Sequence, residues 1–264
     1  MGTVALAPDA SAARVPAAAL GVDFFTGTVA EAAEAIVARA RSGAGGYCCF
    51  ASAHLIICAT HDAAVRRALD GAWTTFPDGA PVAWLLRRAH ELESGRTPGP
   101  DVMPQVLRRG RAAGLRHFLY GSSPEVVARL RTRIHADLPG TAIVGAYAPP
   151  FDAGSRAEDP RVLRAIAAAR PHVVWCALGA PKQELWMRRH AAALAPAVLA
   201  GVGAAFDFLA GTTPRPPRWM RQHGLEWLGR LALEPSRLGR RYLLTNPEFL
   251  LLAAFDLAHR RRPV

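Results

Sequence analysis

The sequence predicts a doubly wound, mostly parallel, Rossmann-like α/β sheet followed by a basic helical appendage. Three observations carry this reading. Short apolar runs alternate with helix-length amphipathic segments through most of the chain, the pattern of parallel strands joined by right-handed crossover helices. The 264 residues, 51% hydrophobic and 20% charged, suffice for one compact domain that buries roughly 70–75% of its unfolded surface; that balance excludes disorder and a multi-pass membrane fold. The alternation stops at Thr212-Thr-Pro-Arg-Pro-Pro217, beyond which arginine accumulates.

Taken in order, residues 1–20 form an Ala/Pro-rich leader expected to be mobile, residues 21–211 the α/β domain, and residues 212–264 the helical appendage. Thr28-Val-Ala-Glu31 has the spacing of a capping box and opens a helix to about Arg41, stopped by Ser42-Gly43. Tyr47 to Ala51 is a buried strand, followed by a helix from Asp62 to Leu69, then Trp73-Thr-Thr-Phe76, the turn Pro77-Asp78-Gly79 and an apolar helix from Ala80 to Leu92. The series continues with a helix from Val102 to Ala113, a strand from Arg116 to Tyr120, a helix from Pro124 to Ala136 and a strand from Ala142 to Tyr147. It closes with a helix from Pro160 to Ala169, a strand from His172 to Leu178, a helix from Pro181 to Ala193 and a strand from Ala197 to Val202. In such sheets ligands bind beyond the carboxyl ends of the strands, where strand order reverses.

The formal charge is +11, carried by 31 arginines and the single lysine Lys182. That bias reads as a GC-rich genome, and with no recognition module beside it nucleic-acid binding has no support. Residues 215–262 hold ten arginines against Glu226, Glu234, Glu248 and Asp256, flanking Leu225, Trp227, Leu228, Leu231, Leu238, Tyr242, Phe249 and Leu252. Such a tail is either a membrane-surface appendage or a helical hairpin packed on its own domain. The apolar run Phe249 to Phe255 makes about 10 Å of helix against a hydrocarbon core of roughly 30 Å, too short to span. The N-terminus shows neither a secretory signal nor a myristoylation site, and Cys48, Cys49, Cys58 and Cys176 lack metal-ligand spacing. The expected location is cytoplasmic.

Four strand ends carry candidate chemistry: Ser52-Ala-His54, Pro77-Asp78-Gly79, Gly121-Ser-Ser-Pro124 and Gly179-Ala-Pro-Lys-Gln-Glu184. The small-residue turns Gly121-Ser122 and Gly179-Ala180, each leading into a helix, suit phosphate, or else merely allow tight packing. Asp78 at a sheet edge is a general base, a helix N-cap or a metal ligand. Lys182 is a compact ammonium kept where arginine serves elsewhere, or a chance survivor. Gly201-Val-Gly-Ala-Ala-Phe206 resembles a dinucleotide fingerprint, but Phe206 takes the third glycine and no second strand ending in an acid follows. No D-x-D, H-E-x-x-H or P-loop motif occurs, so no metal and no cofactor are expected, and a leaving diphosphate must be met by arginine, lysine or helix N-termini.

Pro77-Asp-Gly79, Gly179-Ala-Pro-Lys-Gln-Glu184, the run Gly201 to Gly211, Arg215-Pro-Pro-Arg-Trp-Met220 and the run Leu225 to Tyr242 together resemble the WecG/TagA/CpsF family of bacterial cell-envelope glycosyltransferases, from about Phe24 to Leu250. The resemblance implies a metal-independent, inverting transfer of N-acetylmannosamine or its uronic acid from a UDP donor to a polyprenyl-diphosphate-linked sugar at the inner face of the cell membrane. It implies Asp78 as the base, Lys182, Gln183 and Glu184 in a donor-site motif, Asp101 as the acidic residue of Gly99-Pro-Asp-Val-Met103, and Arg230, Arg237, Arg240 and Arg241 as the tail arginines. With the turn residues Gly121, Ser122 and Gly179 these form the expected substrate site, at an anionic lipid surface and with a homo-oligomer left open. Where the family shows T-x-N after the first strand, this chain has Phe50-Ala51-Ser52, so Ser52 offers one hydrogen bond and Phe50 none. That departure bears on the sugar, with UDP-glucose or UDP-glucuronic acid as alternatives, and leaves a non-catalytic nucleotide-sugar-binding domain as the rival.

Overall fold

The computed structural model describes residues 17–91, 95–150 and 160–260, without the side chains of Arg237, Arg240 and Arg241. Its sheet comprises β1 (Ala17–Ala19), β2 (Val22–Phe24), β3 (Gly46–Ala51), β4 (Thr74–Pro77), β5 (Arg116–Gly121), β6 (Ala142–Tyr147), β7 (Val173–Ala177) and β8 (Val198–Gly201). Their order is β1-β2-β4-β3-β8-β7-β5-β6, with β1 and β2 antiparallel and the other pairs parallel. From β3 the chain steps outward to β4, then crosses to β5 and β6 on the far side and winds back through β7 to β8, next to β3. Strand order therefore reverses at the β3–β8 seam.

Both sheet faces are covered, so the central strands are apolar on both sides rather than alternating with polar residues. Cys48, Phe50, Val173, Trp175, Val198 and Ala200 point into one core, with α1 (Val29–Ser42), α5 (Gly99–Ala112), α6 (Pro124–Asp137) and α9 (Ala205–Ala210) above them. Their neighbours Tyr47, Cys49, Val174, Cys176 and Leu199 point into the other. There they meet α2 (Ala53–His61), α3 (Ala63–Asp70), α4 (Ala80–His90), α7 (Pro160–Ala168) and α8 (Lys182–His190). The capping box is present: Thr28 Oγ1 accepts from Glu31 N at 3.2 Å, and Thr28 N donates to Glu31 Oε2 at 2.7 Å.

Three segments differ from the sequence reading. Residues 17–20, expected in the leader, form β1 and its turn onto β2, two three-residue strands too short for a period-2 pattern to register. Ala53–His61, to which the sequence reading assigned no element, is α2; its Leu55, Ile56 and Ile57 are all buried, and a helix apolar nearly all round shows no amphipathic period. The helix expected to reach Leu92 ends at His90, and residue 92 lies outside the described residues.

The tail forms α10 (Arg218–Gln222), α11 (Glu226–Leu233) and α12 (Pro235–Arg260). Gly224, at φ +74°, sets the α10–α11 turn against the start of α4, where a Cβ would lie 2.8 Å from Ala80 Cβ. On α12, Phe249 and Ala253 enter the core shared with α2 and α4, and Glu248 Oε1 meets His61 Nε2 of α2 at 2.5 Å. The opposite face exposes Leu243, Leu244, Leu250, Leu251 and Phe255, each more than half accessible. One face of α12 is thus packed on the domain, as the helical-hairpin reading of the tail has it, and the other presents an exposed apolar stripe. Among the described residues no helix is long and apolar enough to cross a membrane.

Candidate active site

A cavity of about 190 Å³ opens at the carboxyl ends of β4, β3, β8 and β7, at the strand-order reversal where a doubly wound sheet leaves a crevice. Phe50, Ser52 and His54 line it from the β3–α2 junction, Asp78 and Gly79 from the end of β4, Gly179, Ala180 and Gln183 from the β7–α8 turn, and residues 201–204 from the end of β8. Arg96 enters from the loop before α5, and the tail closes the remaining side with Glu226, Trp227, Arg230, Tyr242 and Asn246.

Asp78 is held by its backbone. Its N–H donates to Ala51 O at 3.0 Å, one step past the β3–β4 ladder, while Thr97 N donates to Pro77 O at 2.8 Å on the other side. The N-cap of α4 is Gly79, at φ +117°, and no side chain caps that helix. The carboxylate is therefore not spent as a cap and faces the cavity. Burial raises its pKa to about 6, the negative charge of Glu226 adds to the rise, and Arg230, Arg96 and Arg215 oppose it. A carboxylate in that range accepts a proton near neutral pH and remains basic enough for the transfer to be favourable.

The tail is anchored beside Asp78 by a network of partly buried charges. Arg215 grips Asp101 with two nitrogens at 2.6 and 3.0 Å and reaches Glu226 Oε1 through Nε at 3.2 Å. Arg96 contacts Glu226 Oε2 at 3.0 Å and the carbonyl of Arg221 at 2.5 Å. Arg96 and Glu226 are only 18% and 13% exposed, so losing either partner would strand a charge away from water. Arg230 differs. Its guanidinium lies 5.5 Å over the Phe208 ring, its Nε is buried without a hydrogen-bond partner, and no carboxylate pairs with it among the described residues. It is a cation in the cavity wall whose donors remain available to an anion.

Of the residues singled out from sequence, Ser52, Asp78, Gly179, Gln183 and Arg230 come together in the cavity. Ser52 is the N-cap of α2, yet its hydroxyl makes no capping bond; Phe50 is nearly buried and stacks on Phe76 at 5.0 Å. Asp101 sits outside the cavity lining, committed to Arg215 and 3.7 Å from Arg221. Gly121 and Ser122 are also outside: Ser122 N donates to Ala177 O at 2.9 Å, and a Cβ on Gly121 would lie 2.6 Å from the Ala177 carbonyl carbon. Close packing of the β5–α6 turn on β7 accounts for that glycine. Lys182 is exposed at the start of α8 and Glu184 is fully buried beneath it; neither lines the cavity. The side chains of Arg237, Arg240 and Arg241 lie outside what the structure describes.

Sequence reasoning gave no place in the substrate site to Arg96, Arg215, Glu226, Phe208, Tyr242 or Asn246. Arg96 is one of 31 arginines and carried no local signal. Glu226 stood in a charge count and inside the Leu225–Tyr242 run, although an acid between two apolar positions of a basic tail was a legible hint of an internal ion pair.

The model of the glycosyl transferase WecG/TagA/CpsF family matches residues 17–263. Two relatives are each named N-acetylglucosaminyldiphosphoundecaprenol N-acetyl-beta-D-mannosaminyltransferase. The one from Bacillus subtilis (strain 168) is 32% identical over 175 residues, 66% of either chain. The one from Bacillus spizizenii (strain ATCC 23059 / NRRL B-14472 / W23) is 30% identical over 182 residues, 69% of this chain and 68% of that protein. The aligned segments thus span about two thirds of each relative's length. With the family match running from β1 through the tail, this chain belongs to the glycosyl transferase WecG/TagA/CpsF family.

Proposed function

We propose that the protein transfers a sugar, N-acetylmannosamine or a close relative, from a UDP donor to a polyprenyl-diphosphate-linked saccharide, with inversion and without a metal. The observation that carries this reading is Asp78: a carboxyl with its pKa raised to about 6, free of capping duty, in a cavity walled by Arg96 and Arg230. In the reaction Asp78 takes the proton of an acceptor hydroxyl as that oxygen bonds to the anomeric carbon, and the bond from that carbon to UDP breaks on the opposite face. One carboxylate suffices, because a single displacement needs a base and no enzymic nucleophile. The negative charge that gathers on the departing diphosphate falls to Arg230, with Arg96 adding field. The acceptor named for the Bacillus relatives is a lipid diphosphate, and the apolar stripe Leu243–Phe255 on α12, beside cavity residues Tyr242 and Asn246, gives the protein a face for the inner membrane surface on which such a lipid resides.

The test mixes the full chain with a short-chain polyprenyl-diphosphate N-acetylglucosamine and, in separate reactions, UDP-N-acetylmannosamine, UDP-glucose and their uronic acids, in chelator. Mass spectrometry of the lipid product reads the added sugar. A new disaccharide from UDP-N-acetylmannosamine in chelator is expected. Donor binding with no product from any donor would replace this reading with a nucleotide-sugar-binding domain, and product only after a divalent ion is restored would end metal independence.

A further inference from the structure

Gln183 and Glu184 stand side by side at the start of α8, and both are buried, 3% and 0% exposed. Gln183 reaches the cavity edge, whereas Glu184 lies below the floor. The hydrogen bonds of the Gln183 amide are almost fully committed. Its Nε2 donates to Glu184 Oε1 at 2.8 Å and to Gly201 O at 2.8 Å, and its Oε1 accepts from Gly203 N at 3.1 Å. An amide has two N–H donors, so none is left for a ligand. The orientation is also fixed, since turning the amide over would set its oxygen against the Glu184 carboxylate and the Gly201 carbonyl. Gly201 is fitted to this arrangement: a Cβ there would lie 2.7 Å from Met187 Cε and 3.0 Å from Gln183 Nε2.

We infer that Glu184 is a positioning residue: through Gln183 it braces the floor of the cavity, Gly201–Gly203, rather than contacting the donor. This rests on the transfer reaction proposed for that cavity and adds to it a division of labour within the β7–α8 segment. The floor at the end of β8 has two glycines, and Gly203 sits at φ +51°, so its path depends on partners outside its own strand. Gln183 supplies the shorter bond at Gly203, whose N–H also reaches Cys176 O at 3.4 Å, and donates to the Gly201 carbonyl, and Glu184 holds Gln183 in the one orientation that does both. A shift of the floor by about 1 Å would displace the reacting sugar from Asp78, and misplacement of that size costs on the order of 100-fold in rate.

The experiment compares wild type with Glu184→Leu, Glu184→Gln and the double variant Gln183→Leu/Glu184→Leu. UDP alone is the binding probe, read by calorimetry. Turnover is read with UDP-N-acetylmannosamine and the lipid-linked acceptor, and amide hydrogen exchange at Gly203 reads the brace itself. The double variant removes both partners together, so it strands neither the Glu184 charge, as Gln183→Leu alone would, nor a Gln183 N–H, as Glu184→Leu alone does. In the double variant the affinity for UDP is expected to stay within about threefold while kcat falls at least about tenfold. The Gly203 amide should exchange at least about tenfold faster, and Glu184→Gln, which retains an acceptor for Gln183 Nε2, should restore kcat to within about threefold of wild type. A parallel loss of UDP affinity and kcat would make the pair donor contacts and overturn the inference, as would a folded double variant with wild-type kcat or with unchanged Gly203 exchange. Failure of the transfer reading is a separate result, wild type making no product; the exchange measurement still decides on the brace.

Discussion

The two halves of the sheet's carboxyl edge are built from similar turns and do different work. On the β5 side, Gly121-Ser122 leads into a helix whose cap is Ser123, and on the β7 side Gly179-Ala180 leads into α8. Both glycines have positive φ, +120° and +78°. A Cβ at Gly121 would collide with the backbone of Ala177, whereas one at Gly179 meets nothing within 4 Å and lies in the cavity wall. Crowding by the neighbouring strand accounts for the first glycine, while the second keeps a cavity wall open. The difference follows from topology: β5 lies beyond β7, away from the β3–β8 seam, so its turn faces a packed neighbour instead of a crevice.

Substitutions on the two sides should separate accordingly. The largest effect is expected at the centre of the cavity half, where Asp78→Asn keeps the fold and UDP binding yet lowers turnover about 10²- to 10⁴-fold, the usual contribution of a general base; steady-state kinetics beside calorimetric UDP binding checks it. Next comes Arg230→Met, which keeps the stem packed on Phe208 but removes the charge. Loss of a charged hydrogen bond to the diphosphate is worth about 1.5–3 kcal/mol, or roughly a 10- to 100-fold fall in kcat/KM, and a variant with unaltered kcat/KM would leave Arg230 a packing residue only. The paired glycines then give opposite signatures. Gly121→Ala combines a strained φ with a backbone clash, each costing about 1–3 kcal/mol, so the Tm should fall by roughly 5–20 °C with unchanged turnover per folded molecule. Gly179→Ala carries the strain alone, a smaller Tm loss, and its methyl narrows the cavity, so donor KM rises instead.

What the sequence disclosed follows the same division. Strands β3 and β5 to β8 were legible from apolar stretches between helix signals, β4 from the place of Trp73-Thr-Thr-Phe76 before a turn, and Asp78 because Pro77 and Gly79 fix it at a strand end. Glycine turns were visible as turns, but which ones face a ligand is decided by strand order, which no local pattern encodes; Gly121 and Gly179 read alike for that reason. Asp101 and Arg215 are 114 positions apart and pair only because the tail folds back on the sheet. Gln183 and Glu184 were read as donor contacts from their motif, whereas the geometry commits the Gln183 amide to Glu184 and the β8 floor.

The central claim, that the Asp78 carboxylate is the base of a sugar transfer, is tested most directly by the pH dependence of kcat/KM for wild type between pH 5 and 8. Because the carboxyl is protonated below its raised pKa and cannot then accept the acceptor's proton, the rate should climb about tenfold per unit up to near pH 6 and level off above it. The sign for stability is opposite. The folded state holds a proton that the unfolded chain, with a carboxyl at its ordinary lower value, has released, so this group's contribution to stability is lost as pH rises through 6. A limb near pH 6 that is absent from the residual activity of Asp78→Asn is the predicted result. A profile without that limb in wild type, or the same limb persisting in Asp78→Asn, would contradict the account.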